Sequence, residues 1–208
     1  MSIRKKILAI SIGPVLVLGV ITLLFILTMV KSSLMDEVQD ALKGTAAATL
    51  AAYDQNTGDY LESTNGDIWK GSYNISKSES LVDRIKENTG MDVTFFYGNK
   101  RIMTSALDKK GNRILGSEAG ERVVNQVIKG KKPFFSTNVS LDGTRNYGYF
   151  IPVYQNGTTD QVIGMVFVGT NKARKDAIVN KILGSIMMAL LVVMLLCIVT
   201  AMRMAASI

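Results

Sequence analysis

The chain has 208 residues, of which 48% are hydrophobic, with a mean hydropathy of +0.22 and a formal net charge of +7. That is too apolar for a soluble domain of this length, and the excess sits in two charge-free blocks, Ile7–Val30 and Ile182–Met202. Each exceeds the roughly 20 residues that cross a ~30 Å hydrocarbon core as a helix, so a purely cytosolic enzyme and a polytopic transporter are both excluded.

The cluster Arg4, Lys5 and Lys6 precedes the first block and predicts a cytoplasmic N-terminus. Two spans then return the C-terminus to the cytoplasm and leave the middle domain outside. Lys172, Arg174, Lys175 and Lys181 argue weakly for the reverse, but the first span usually dominates. That span is longer than a signal-peptide core, and the nearest small-residue pattern, Ala46–Ala48, lies well past it, so it is an uncleaved anchor. The expected division is a cytoplasmic tail 1–6, a span 7–30, an extracytoplasmic domain 31–181, a span 182–202 and the start of a cytoplasmic region 203–208. All 17 acidic residues lie in the middle segment, which is nearly charge-balanced. The basic excess is spread along the chain and marks no nucleic-acid-binding stripe. Cys197, the only cysteine, falls inside the second span, so the outer domain depends on packing for its stability.

Beyond the first span, helix is expected to continue to about Gly58. Leu34, Val38, Ala41, Leu42, Thr45, Ala48 and Ala52 recur at helical spacing. The small residues Ala46–Ala48 and Ala51-Ala52 allow either packing on the domain's own sheet or a dimer seam. Gln55–Lys77 reads as a polar, turn-rich stretch. Ser76 to Glu79 reads as a capping box opening a helix with Leu81, Val82 and Ile85 inward and Gly90 as its stop. Val93–Tyr97 and Arg101–Thr104 around Gly98-Asn99 predict a β-hairpin. Ser117–Lys129 reads as a second short helix. Phe134–Leu141, Arg145–Tyr154 and Gln161–Gly169 are strands separated by Asp142-Gly143 and Asn156-Gly157, dipeptides that suit tight hairpins. Period-two spacing groups Tyr147, Tyr149 and Ile151 on one face of their strand, and Ile163, Met165 and Phe167 on one face of theirs. The expected fold class is α+β: a five-stranded antiparallel sheet with a long N-terminal helix, flanked by two transmembrane helices. Asn171–Lys181 leads as helix into the second span.

Several of these segments together resemble the single-Cache sensor domains. They are Val82–Ile85 with Thr89-Gly90, Thr94–Gly98, Arg101, Thr104-Ser105, Tyr147, Tyr149–Pro152, Val162–Met165 and Val168-Gly169. The resemblance implies a PAS-like extracytoplasmic module of a bacterial transmembrane receptor. The family's commonest setting implies a methyl-accepting chemotaxis receptor, in which a HAMP linker and a signalling hairpin follow the second span. Neither appears before Ile208, so a fragment of a longer receptor or a truncated product is expected. The alternatives are the same sensor on a histidine kinase or diguanylate cyclase, and a ligandless structural dimer.

The chain has no histidine. A histidine-dependent triad and a His-ligated metal site are excluded, no phosphate-binding glycine loop is present, and no enzyme, metal or cofactor is expected. A ligand pocket is expected where the sheet meets the short helices, with walls from Tyr97, Met103, Tyr147, Tyr149, Met165 and Phe167. Met165 and Phe167 also suit plain core. Arg101 and Arg145 sit on strands, where a guanidinium can hold a carboxylate through two parallel hydrogen bonds. Arg101 interrupts a strand, whereas Arg145 follows a turn and suits solvent. The resemblance implies a small organic acid, amino acid or similar metabolite as ligand. The expected partners are that ligand, membrane lipid and a second copy in a homodimer, with cytoplasmic signalling partners only on a longer chain. The expected location is the cytoplasmic membrane.

Overall fold

The computed structural model describes residues 3–206. The expected segments 1–6 and 203–208 therefore fall partly outside the described residues. Two compact units are present: one is Glu37–Lys175, and the other takes in the chain up to Asp36 and from Asp176 onward. Helix α1 runs over Ile3–Asp54 and helix α4 over Lys172–Ala206. Both are long and apolar enough to cross a membrane.

Within α1 the fully buried residues are Leu42, Ala46, Thr49 and Tyr53, one stripe at 4-3-4 spacing. This corrects the expected stripe, since Ala41 and Ala48 are exposed. The large side chains Leu42 and Tyr53 set which face turns inward, and the alanines cover both sides of the helix.

Gln55–Lys77 is not simply loop. It contains a three-stranded antiparallel sheet of β1 (Tyr60–Glu62), β2 (Ile68–Lys70) and β3 (Tyr73–Asn74), in that order. Strands of two or three residues are too short to show a period. What holds them is burial of Tyr60, Ile68 and Ile75. Gly71 permits the tight return at φ +56, where a methyl would run into the Thr57 carbonyl.

Helix α2 (Glu79–Thr89) ends at Gly90, whose left-handed conformation lets its N–H reach the Lys86 carbonyl. Its start differs from the expected capping box. The N-cap is Ser78, and no side chain caps the helix. The Ser76 hydroxyl accepts from Ile68 N instead, and the Ser78 hydroxyl is taken by Tyr53 and the Ile75 carbonyl.

The main sheet contains β4 (Asp92–Tyr97), β5 (Lys100–Thr104), β6 (Phe134–Leu141), β7 (Thr144–Tyr154) and β8 (Val162–Asn171). The order is β5-β4-β8-β7-β6, antiparallel throughout. The α+β class and five-stranded sheet are as expected. The second short helix is shorter than expected, with α3 (Glu121–Val123) running into a π-helical turn at Val124–Lys129. Ser117–Ala119 instead run beside β5, where Arg101 N donates to Ser117 O at 2.9 Å and Ala119 N to Asn99 O at 2.8 Å. That pairing satisfies an otherwise open sheet edge.

Register decides what each face presents, because residues paired across strands share a face. Phe95 pairs with Val166 and Met103, and Tyr149 with Val168. These residues face α1, where Tyr53 meets Phe95 edge-on at 5.1 Å and Tyr60 stacks on it at 5.8 Å. Phe96 pairs with Met165 and Arg101, and Phe167 with Phe150, which pairs in turn with Phe134. This second face packs with Ala106, Val127 and Leu141.

Candidate functional site

The second face carries a cavity of about 530 Å³. Phe96, Phe150 and Phe167 from the inner strands and Phe134 from β6 supply aromatic walls. Ala119, Gly120, Arg122 and Val123 come from the start of α3, and Ser136 to Ser140 come from the edge strand. Phe150 and Phe167 lie 4.7 Å apart and Phe134 lies 6.4 Å from Phe150, so the rings form one contiguous array. The edge strand departs from regular pairing between Ser136 and Val139, and this irregularity lies at the cavity wall.

Arg101 is the buried charge of this cavity, only 7% exposed. A register shift between Phe95 and Phe96 sets Arg101 opposite Phe96, and so on the cavity face. Its guanidinium lies 5.3 Å from the Phe96 ring centroid, and Nη1 donates to the Ile114 carbonyl at a long 3.3 Å. Nε is buried without a hydrogen-bond partner. No ion pair to it is formed among the described residues. Burial pulls its pKa down from the ordinary arginine value, and Asp92 only partly offsets this. Asp92 itself is engaged by Lys86 at 2.7 Å. A guanidinium stays charged in a protein, so this is a desolvated cation lacking an anion. Arg122 and Glu118, also at the wall, are exposed, with Arg122 5.4 Å from the Phe134 ring centroid.

Of the residues expected to form a site, Arg101 and Phe167 line the cavity. Met165 lies beneath it in the same apolar cluster, fully buried. Tyr147, Tyr149 and Met103 are buried on the opposite face, and Tyr97 is half-buried beside them. Arg145 is exposed at the β6–β7 turn. Sequence reasoning missed Phe96, Phe134 and Phe150. Parity is the usable signal, because Phe150 lies out of phase with Tyr147 and Tyr149. Among the described residues, no group of three or more carboxylate or thiol side chains is placed to hold a metal.

An α+β domain between two helices long and apolar enough to cross a membrane, with a five-stranded antiparallel sheet whose one face holds a cavity around a buried cation, fits a ligand-binding sensor module. The single Cache domain 3 family matches residues 73–182, just over half of the chain, and the chain belongs to that family. An extracellular ligand binding receptor from Desulfohalobium retbaense DSM5692 is similar in fold, with a TM-score of 0.51 at 15% identity over 74% of this chain. The chain spans about a quarter of that receptor's length, since the match covers 26% of it. No curated protein matches the chain.

Proposed function

We propose that this chain is the sensory part of a two-pass membrane receptor that binds a small carboxylate in the cavity through Arg101. The observation that carries the reading is the buried Arg101 guanidinium with its unpartnered Nε at a 530 Å³ cavity. A carboxylate supplies both the missing charge and a planar pair of acceptors. The division is the one drawn from hydropathy, with spans 7–30 and 182–202 and the sensor domain 31–181 outside the cell, the N-terminus being held inside by Arg4, Lys5 and Lys6. The module works as a homodimer. Exposed Ala41, Gly44, Ala48 and Ala51 on α1 support that arrangement, since they follow a 3-4-3 spacing that lets a second helix approach closely. The output is chemotactic, with a histidine kinase or diguanylate cyclase as the alternative.

The signal leaves through β8, which ends at Asn171 immediately before α4 begins at Lys172. Lys172 Nζ also donates to the Thr137 carbonyl at 3.1 Å, on the edge strand that lines the cavity. A ligand that reshapes this strand therefore pulls on the first turn of α4. Helix shifts of ~1–2 Å are enough for such transitions, and the ligand biases them only by its differential affinity for the two states.

The test is thermal unfolding of the full chain in lipid nanodiscs against a panel of carboxylates, repeated with Arg101→Met. A ligand at a hundred times its Kd adds ~2.7 kcal/mol and gives a clear rise in melting temperature. A rise abolished by the substitution supports the reading. A rise unaffected by it removes Arg101 from the site, and no rise with any carboxylate removes the anion.

A further inference from the structure

We propose that Gly148 and Gly169 determine which sizes of ligand the cavity accepts, by leaving room on the sheet for the Phe167 ring. This rests on the cavity reading above and adds what sets its capacity. Register places the two glycines side by side on the cavity face. Gly148 of β7 pairs with Gly169 of β8 and, on its other side, with Ser136 of β6. Neither glycine has a positive φ, so the backbone does not call for glycine at either position. Glycine in a strand interior weakens the strand, and it often marks a close approach.

The close approach is made by the Phe167 ring. A Cβ at Gly148 would stand 2.5 Å from Phe167 Cε2 and 2.9 Å from Val139 Cγ2. A Cβ at Gly169 would run into Cζ of the same ring. Gly164, the other glycine of β8, would meet the Phe96 carbonyl instead, so it serves the approach of two backbones and not of a side chain.

What has to yield to an added methyl decides its effect. Phe167 is fully buried, 4.7 Å from the Phe150 ring and clustered with Val127, Leu141 and Met165, so its packed sides have no room for it to move into. Phe167 and Val139 both line the cavity. A methyl at Gly148 therefore drives one or both of them into the cavity and takes room from the ligand. Arg101 lies on β5, with β4 and β8 between it and Gly148, so the partner of the anion is untouched. The glycines act on size and not on charge.

The experiment is titration calorimetry on the full chain in nanodiscs with acetate, butyrate, hexanoate, succinate and citrate. Gly148→Ala is expected to weaken the largest acid that the unsubstituted chain binds by about tenfold, and smaller ones by less. Leucine lacks the Cε and Cζ atoms that stand in the way, so adding Phe167→Leu to Gly148→Ala is expected to recover the lost affinity. If a single acid binds, its loss and recovery decide. Phe167→Leu alone should shift the preference toward larger acids, and it decides the matter if Gly148→Ala does not fold. No loss, an equal loss for several acids, or a loss that Phe167→Leu does not recover overturns the proposal and leaves the anion at Arg101 standing. Binding of none of the five overturns it together with the anion reading.

Discussion

The two faces of the main sheet are built from alternate residues of the same strands and reach different degrees of completion. Toward α1, Phe95 is fully buried between Tyr53 and Tyr60, and the Tyr53 hydroxyl meets Ser78 Oγ at 2.9 Å. Toward the cavity, one residue further along, Phe96 is buried as well, but the guanidinium beside it lacks a counter-ion. Buried polar groups are nearly always satisfied in native structures, and among the described residues the exceptions are Arg101 Nε on this face and Asn74 Oδ1 in the small sheet. The finished face holds the domain together; the unfinished face is free to specialise.

The largest expected effect tests that contrast directly. Phe95→Ala removes a ring packed on all sides and should cost ~3–5 kcal/mol, read as a lowered midpoint in denaturant unfolding followed by Trp69 fluorescence. Phe134→Ala on the cavity face should cost less than half of that, because the ring is already half-exposed. Equal costs would mean that the two faces do not differ.

Next comes Tyr53→Phe, which keeps the edge-on contact with Phe95 and deletes one buried hydroxyl. Burial pushes the Tyr53 phenol pKa far above its ordinary value, so the group is neutral and acts only as a hydrogen-bond partner. Ser78 Oγ keeps its bond to the Ile75 carbonyl at 2.7 Å, so the loss should be about 1 kcal/mol.

Arg101→Met should behave in the opposite way to a core substitution. It removes an unpaired buried cation with one long hydrogen bond, so stability should stay within about 1 kcal/mol of the unsubstituted chain. Carboxylate binding should disappear. A large loss of stability would show that Arg101 is structural and that the cavity face is as finished as the other.

The sequence made much of the first face legible and less of the second. Hairpins at Gly98-Asn99 and Asp142-Gly143, the Gly90 stop and two long apolar blocks are local signals, and they correspond to elements present in the fold. Register is not local. A glycine-containing turn says that two strands pair, but which of Tyr149 and Phe150 faces a cavity depends on what covers each side. Here Tyr53 of α1 packs on Phe95 of that face, and Phe135 of the edge strand stacks on Tyr147. Arg101 was recognisable because a charge within an apolar strand is conspicuous on either face. Phe134 and Phe150 were not, since a phenylalanine in a strand is ordinary core. The three short strands within Gln55–Lys77 were hidden for another reason: two or three residues contain no period.

The smallest expected effect separates the two arginines that cross the β5 edge. Arg113 is the paired counterpart of Arg101. Its Nη1 donates to Asp83 at 2.9 Å and to the Thr104 carbonyl at 2.8 Å. The Arg113 guanidinium beside Asp83 holds that carboxyl below its usual range and is itself held up by it. A carboxylate whose folded-state pKa is depressed adds stability above its unfolded pKa of about 3.9, and this is lost as the pH falls through the lowered folded value. The melting temperature of the unsubstituted chain should therefore exceed that of Asp83→Asn at neutral pH, and the gap should close below about pH 4. Asp83 is about 42% exposed and the pair is screened by solvent, so the gap should be under about 1 kcal/mol. Arg101→Met should show no such acid-dependent gap in the unliganded chain, since no carboxylate is paired with it. A saturating carboxylate found in the thermal-unfolding panel should create one by supplying the group that Asp83 supplies to Arg113. If the gap failed to appear, the bound acid would be held by something other than Arg101.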